Sequence, residues 1–400
     1  MPKKTKKRGQ GEGSISKRTR GRRIYYEARI TVGYTETGSP KQKSKYFKTR
    51  KEAQDWLVEA TYQKKHGTFV EPSKITLGEW LERWLTVYVK PTVKPGSYAN
   101  YVDVIQKHII PSLGDTPLQT LRTNTIQDFY NQKRENGRLD GKGGLSPRMI
   151  HLMHQVISRA LKQAVRENLI STNPAEHTTL PSLKYKEMST LKPEEIKEYL
   201  EAVKSDRLYV AFLLELNTGL RRGELLALSW DCIDFEKKKL TIKRTLARVR
   251  LPDKGTSELK FSEPKTKSGK RDIPLHQNII KELQAHKARQ NKEKLLHGPK
   301  YTDNDLVFCT PQGTPIEPRN FHRKHTEILK KAGLPHIRVH DLRHTVATLL
   351  VNNGIDPENI RALLGHSKTS TTLDLYCHST SEGKEKAIET LSQIINLAQA

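Results

Sequence analysis

Near its end the chain gathers His340, Arg343, His366 and Tyr376, side chains that together could hold and attack one phosphate. A guanidinium binds phosphate oxygens in a two-pronged fork, an imidazole donates or accepts a proton, and a phenol becomes a nucleophile once its proton is removed. The spacing of apolar residues indicates the elements that must position them. Leu342, Val346, Leu349 and Leu350 recur at helical intervals, so His340 and Arg343 are expected three positions apart on one face of a helix that Asn353-Gly354 stops. Asp356-Pro357 reads as an N-cap with proline at the first helical position. Leu363-Leu364-Gly365 closes that second helix, His366 emerges just past it, and Tyr376 follows on a third short helical stretch.

A second basic centre lies earlier. Leu216 to Leu228 reads as a helix, a glycine turn and another helix beginning near Arg221, where a guanidinium meets an anion with the helix dipole behind it. Glu224, one turn on, either orients Arg221 or is a surface residue, and Arg222 reads as a solvated charge. The competing chemistry is a metal site, since His340 and His344 stand at i and i+4 with His366 and His378 downstream. Two features oppose it: Asp341 follows His340 where the H-E-x-x-H pattern has glutamate, and Arg343 would set a cation beside the metal. Neither metal nor cofactor is therefore expected.

These segments resemble the signature of the tyrosine recombinases, the integrases of phages and conjugative transposons. The resemblance is carried by T-G-L-R-R-G-E-L, H-D-L-R-H-T, L-L-G-H-S and T-T-L-D-L-Y, in that order. It implies a nucleophile at Tyr376, phosphate ligands at Arg221, Arg343 and His366, and an acid/base or orienting role for His340. It also implies a catalytic lysine on a hairpin, which K-T-K-S-G-K-R-D-I-P-L puts at Lys265, with Lys267 and Lys270 as close competitors. The implied activity is site-specific recombination through a 3′-phosphotyrosyl intermediate, without metal or nucleotide. The implied partners are double-stranded DNA at core and arm attachment sites, a homo-tetramer on synapsed DNA, and excision or DNA-bending factors. A type IB topoisomerase, which would use almost the same residues, and a catalytically idle DNA-binding regulator are the alternatives.

Composition agrees with a polyanionic partner: 71 Lys and Arg against 44 Asp and Glu give a net charge of +27 over 400 residues. No apolar run approaches the roughly 18 residues of a spanning helix, and the N-terminus lacks the apolar core of a signal peptide, so a cytoplasmic protein is expected. Cys232, Cys309 and Cys377 are too few and too scattered for a disulfide framework or a cysteine metal site.

Taken in order, residues 1–70 carry 19 Lys and Arg against 6 Asp and Glu, a charge of +13. After a basic arm, residues 1–10, come expected strands at Ser14–Lys17, Ile24–Val32 and Lys43–Lys48, and a Thr49-capped helix from Arg50 to Lys65. This resembles an arm-type DNA-binding domain; a merely solvated charged surface is the plainer reading. Past a linker at Glu71-Pro72-Ser73 the pattern turns helical, with stripes Leu77–Tyr88 and Tyr98–Ile109 and helices Thr123–Gln132 and Ser146–Asn168. The aromatic residues in these stripes read as core rather than base-stacking platforms, because they keep the helical period. Further strands are expected at Leu240–Leu251 and Leu259–Leu275, joined at Lys267–Lys270, and at Leu306–Cys309, while Glu385–Ala398 forms a terminal helix packed on its own domain or on a neighbouring protomer. The fold class is multidomain α+β. It comprises a three-stranded sheet plus helix (1–70), a four-helix core-binding domain (75–175) and a mixed, mainly helical catalytic domain of tyrosine recombinase type (188–400).

Overall fold

Strand alternation builds the first layer of the computed structural model, which describes residues 13–20, 23–34, 37–65, 70–183, 189–251, 255–264 and 267–365. Strands β1 (Ser14–Arg20), β2 (Arg23–Tyr34) and β3 (Pro40–Phe47) form an antiparallel sheet in that order, with β2 central and a bulge between Thr31 and Gly33. Ala28 and Ile30, two residues apart on β2, are buried on the face that α1 (Arg50–Lys65) covers with Ala53, Leu57 and Ala60. Thr49 and Glu52 cap α1 reciprocally, each side chain accepting the other's backbone N–H at 3.2 Å. The opposite face stays polar: Glu27 accepts from Arg18 at 2.8 Å and Arg29 at 2.9 Å.

The same unit, Met1–Lys184, continues into a helical bundle. Its helices are α2 (Leu77–Trp84, running on through a π turn, Leu85–Val89), α3 (Pro95–Val104), α4 (Ile110–Leu113), α5 (Thr123–Asn136) and α6 (Pro147–Arg166). Trp80 is fully buried and donates its indole N–H to Ala160 O at 2.9 Å, which locks α2 against α6. Trp84 and Tyr101 stack at 6.1 Å between ring centres. The aromatic stripes are thus mostly core, as their period implies.

The second unit, Tyr185–Ala400, is organised around helices α7 (Pro193–Val203), α8 (Tyr209–Thr218) and α9 (Arg222–Leu226). Strands β4 (Ile233–Asp234) and β5 (Lys239–Thr241), the hairpin β6 (Thr245–Leu251)–β7 (Thr256–Ser262), and β8 (Asp272–Pro274) follow. Next come α10 (Gln277–His297), α11 (Pro318–Lys331), α12 (Val339–Asn352) and α13 (Pro357–Leu364). Phe212 of α8 stacks on Phe321 of α11 at 4.6 Å, and buried Tyr199 donates to or accepts from His325 at 2.8 Å. Buried Cys232 and Cys309 are free thiols.

Three strand expectations need correction. Leu240–Leu251 breaks at Ile242–Arg244, because β5 pairs with β8 whereas β6 pairs with β7. Leu259–Leu275 splits likewise: β7 ends at Ser262, Lys267–Gly269 is a single 3-10 turn, and β8 is short. Leu306–Cys309 supplies isolated bridges, Ser229 to Leu306 and Cys309 to Pro315, rather than a strand. The two longer runs each serve two different partners, whereas Leu306–Cys309 is apolar because all four residues are buried. No helix among the described residues is long and apolar enough to cross a membrane.

Candidate active site

The chain turns sharply between α8 and α9. Gly219 ends α8 in the left-handed region (φ +61°), and a Cβ there would lie 2.4 Å from Leu364 Cδ2, so only glycine fits without a shift. Arg221 then takes the extended conformation of an N-cap, with its backbone N–H donating to Glu224 Oε2 at 3.0 Å and its Nη1 to Glu224 Oε1 at 2.7 Å. Glu224 is therefore an orienting residue, buried beside a half-exposed Arg221. Arg222 is exposed.

Helix α12 delivers Arg343 inward. The residue is 2 % exposed, with Nη1 donating to Gly219 O at 2.7 Å and Nη2 to Leu364 O at 2.5 Å. His340 does not share this setting: it reaches solvent one turn earlier, its ring edge-on to His344 at 4.9 Å. The expectation of one common face thus holds for spacing but not for burial, because the face turns from the rim of the helix into the core between the two residues. The protein atoms crowded around the His340 ring, then His344 and Arg343, hold its imidazole below the ordinary histidine range and so favour the neutral, proton-accepting form.

Helix α13 is capped by Asp356, which accepts from Glu358 N and Asn359 N, and it ends at Gly365 in the left-handed region. Its last turn leaves carbonyls without helical partners, at the negative end of the helix dipole. Arginines take three in succession: Arg271 Nε donates to Leu363 O at 2.7 Å, Arg343 to Leu364 O, and Arg221 Nη2 to Gly365 O at 2.7 Å. Two guanidiniums from α9 and α12 thereby converge on neighbouring atoms immediately before His366. Burial first, then the charges of Arg221 and Arg271, lower the Arg343 guanidinium to about 9, which leaves it cationic at neutral pH.

Sequence reasoning missed two participants. Arg271, in the R-D-I-P-L run leading into β8, donates to the same Glu224 carboxylate that Arg221 holds; its position in the hairpin motif was the available signal. Glu215 is fully buried in α8, and neither carboxylate oxygen has a hydrogen-bond partner. Burial pushes its carboxyl well upward against the opposing pull of Arg222 and Arg343. A lone acid within the apolar run Val210–Leu216 was its signal. Of the remaining expected site residues, Lys265, His366 and Tyr376 lie outside the described residues, as do Cys377, the basic arm 1–10 and the helix 385–398. Lys270 is exposed and pairs with Glu263 at 3.1 Å. Among the described residues no three His, Cys, Asp or Glu side chains cluster as a metal site.

Comparison with known proteins shows the family. Residues 189–382 match the phage integrase family, 76–134 the phage integrase N-terminal SAM-like domain, and 14–63 an arm DNA-binding domain. A tyrosine recombinase XerC-like protein of Caldanaerobacter subterraneus subsp. tengcongensis is 34% identical over 383 residues, covering 92% of this chain and 96% of that one. The ICEBs1 integrase of Bacillus subtilis is 28% identical over 308 residues, covering 76% and 79%. Among solved structures, the Tn1549 transposon integrase in complex with transposon right end DNA superposes with a TM-score of 0.66 at 21% identity, over 79% of this chain and 99% of that one. A lambda integrase tetramer bound to a Holliday junction superposes at 0.54 and 22% identity, over 92% and 96%. With its three domain matches in order and a full-length relative at this identity, the chain belongs to the phage integrase family of tyrosine recombinases, enzymes that transfer DNA strands.

Proposed function

We propose that Arg221, Arg343 and His366 bind the scissile phosphate of a DNA core site, that Tyr376 attacks it, and that His340 and Lys265 move the protons. The observation that carries this reading is the convergence of Arg221 and Arg343 on the Gly365 and Leu364 carbonyls, one residue short of His366. Phosphoryl transfer asks a protein mainly for in-line positioning and for cationic donors on the non-bridging oxygens. Neutral His340 accepts the phenolic proton of Tyr376 as the new O–P bond forms; the P–O5′ bond breaks, and Lys265 supplies a proton to the departing 5′ oxygen. The 3′-phosphotyrosyl bond keeps the energy of the broken linkage, so a 5′ hydroxyl from another duplex can reverse the step and complete the exchange.

The same reading assigns residues 1–70 to arm-site binding, 75–175 to core-site binding and 188–400 to catalysis. It is supported by the polar sheet face around Glu27, Arg18 and Arg29, and by α6, which exposes Arg148, Arg159, Lys162 and Arg166 and contains no acidic residue. As in the lambda integrase tetramer on its Holliday junction, the working assembly is a homo-tetramer on two synapsed duplexes.

The test is Tyr376→Phe on a nicked suicide duplex. The variant should bind the duplex as the wild type does and form no covalent adduct, since it lacks one oxygen and little surface. An adduct formed by the variant would remove Tyr376 as the nucleophile.

A further inference from the structure

We infer that Arg271 is a positioning residue for strand cleavage, holding Arg221 through Glu224 and holding the end of α13 on which Arg221 and Arg343 are seated. The inference rests on the reading that Arg221 and Arg343 bind the scissile phosphate.

Arg271 has one prong on each of two structures. Its Nη2 and Nη1 face Glu224 Oε2 and Oε1 at 3.1 and 3.4 Å, while Nε donates to Leu363 O at 2.7 Å. Glu224 is therefore shared: each of its two oxygens accepts both from Arg221, through the backbone N–H or Nη1, and from the Arg271 fork. A carboxylate held by Arg221 alone could rotate about its own side chain, and Arg221 would rotate with it; the Arg271 fork on both oxygens opposes that rotation.

The anchor is itself rigid. The Arg271 side chain is only 7 % exposed, and its carbonyl accepts from Ile242 N at 2.9 Å where β8 begins its pairing with β5. At the far end the fit is close: a Cβ on Gly365 would stand 2.8 Å from Arg271 Nη1 and 2.7 Å from Ser268 O. All three guanidinium nitrogens of Arg271 already donate to protein acceptors, Glu224, Leu363 and Gly269, so it acts through its neighbours. Lysine could not replace it, because a single ammonium lacks the planar fork that serves a carboxylate and a carbonyl in different directions.

The experiment compares Arg271→Ala, Arg271→Lys, Arg221→Ala and the double variant Arg221→Ala/Arg271→Ala in the full chain. Single-turnover cleavage is measured on a suicide duplex carrying either an ordinary phosphate or a methylphosphonate at the scissile position. Replacing one charged non-bridging oxygen by methyl lowers the demand for a cation there. Both Arg271 variants should bind duplex normally and cleave the ordinary phosphate about 10²-fold more slowly, the scale of a misplaced catalytic group. Their defect should shrink on the methylphosphonate in parallel with that of Arg221→Ala, and the double variant should be slower than Arg221→Ala by much less than the full Arg271→Ala defect, the remainder coming through Arg343. Should Arg271→Ala fail to fold, Arg271→Lys carries the comparison. If Arg221→Ala cleaves normally, the underlying assignment of Arg221 is wrong. If Arg221→Ala is impaired but Arg271→Lys cleaves as the wild type does, or the two defects multiply, or the methylphosphonate leaves the Arg271 defect unchanged, the inference is overturned.

Discussion

Glu215 and Glu224 are both buried, yet their surroundings drive their carboxyl groups in opposite directions. Burial alone dominates at Glu215 and favours the neutral acid over the carboxylate. At Glu224 burial pushes the same way, but the charge and hydrogen bonds of Arg271, followed by those of Arg221, outweigh it and favour the carboxylate. The pH dependences must then differ in sign. A carboxyl raised on folding stabilises fully below its unfolded pKa, about 4.3, and that contribution is lost as pH rises through the folded value. A lowered one stabilises above about 4.3 and is lost as pH falls through the folded value. Thermal melts from pH 4 to 8 should therefore show Glu215→Gln gaining on the wild type as pH rises. Glu224→Gln should be destabilised on the order of 3 kcal/mol near neutrality, with the deficit closing in acid. A Glu215→Gln difference that stays flat across this range would mean that Glu215 is ionised and paired.

At the scale of elements, α6 separates two jobs by helical face. Ile150, Met153, Val156, Ile157, Ala160, Leu161 and Ala164 are buried in the bundle, while Arg148, Gln155, Arg159, Lys162 and Arg166 form an exposed stripe at intervals of three, four and seven. An exposed basic stripe with no acid on the whole helix is a surface for a polyanion, and Tyr101 steadies it by accepting from Arg159 Nη1 at 2.7 Å. Lys162→Ala and Arg159→Ala should each weaken core-duplex binding and reduce the slope of log K against log salt by about 0.9 per lost phosphate contact. Their melting temperatures should be unchanged, because both residues lie outside the core. Titration of the two variants at several salt concentrations checks this, and slopes equal to the wild type would remove α6 from the interface.

Across the whole molecule the positive charge is unevenly spread, with +13 of the +27 in the first 70 residues. A chain starting at residue 71 should keep core-duplex cleavage, lose binding to arm-type duplex, and show a markedly flatter salt dependence, since each phosphate contact contributes roughly −0.9 to the slope. Footprinting of both chains on a complete attachment site would show it. An unchanged footprint and slope would reduce the segment to a solubilising tail.

What the sequence determined by itself is local. The Thr49–Glu52 and Thr76–Glu79 capping boxes, the Asp356-Pro357 start of α13 and the left-handed glycines 219 and 365 all satisfy backbone groups within one helical turn, so their partners are legible at short range. The motifs that mark the family were legible for the same reason, each being a run of adjacent residues. Partnership was not. Arg221 lies 144 residues from the Gly365 carbonyl it binds, and Arg343 lies 124 from that of Gly219. Arg271 has Glu224 47 residues behind it and Leu363 92 ahead. β5 pairs with β8 across an intervening hairpin. A guanidinium will accept any carbonyl or carboxylate offered to it, so its choice depends on which ones the packed helices bring within reach. Only the tertiary structure, by setting the end of α13 against the α8–α9 turn, decided that three arginines meet there.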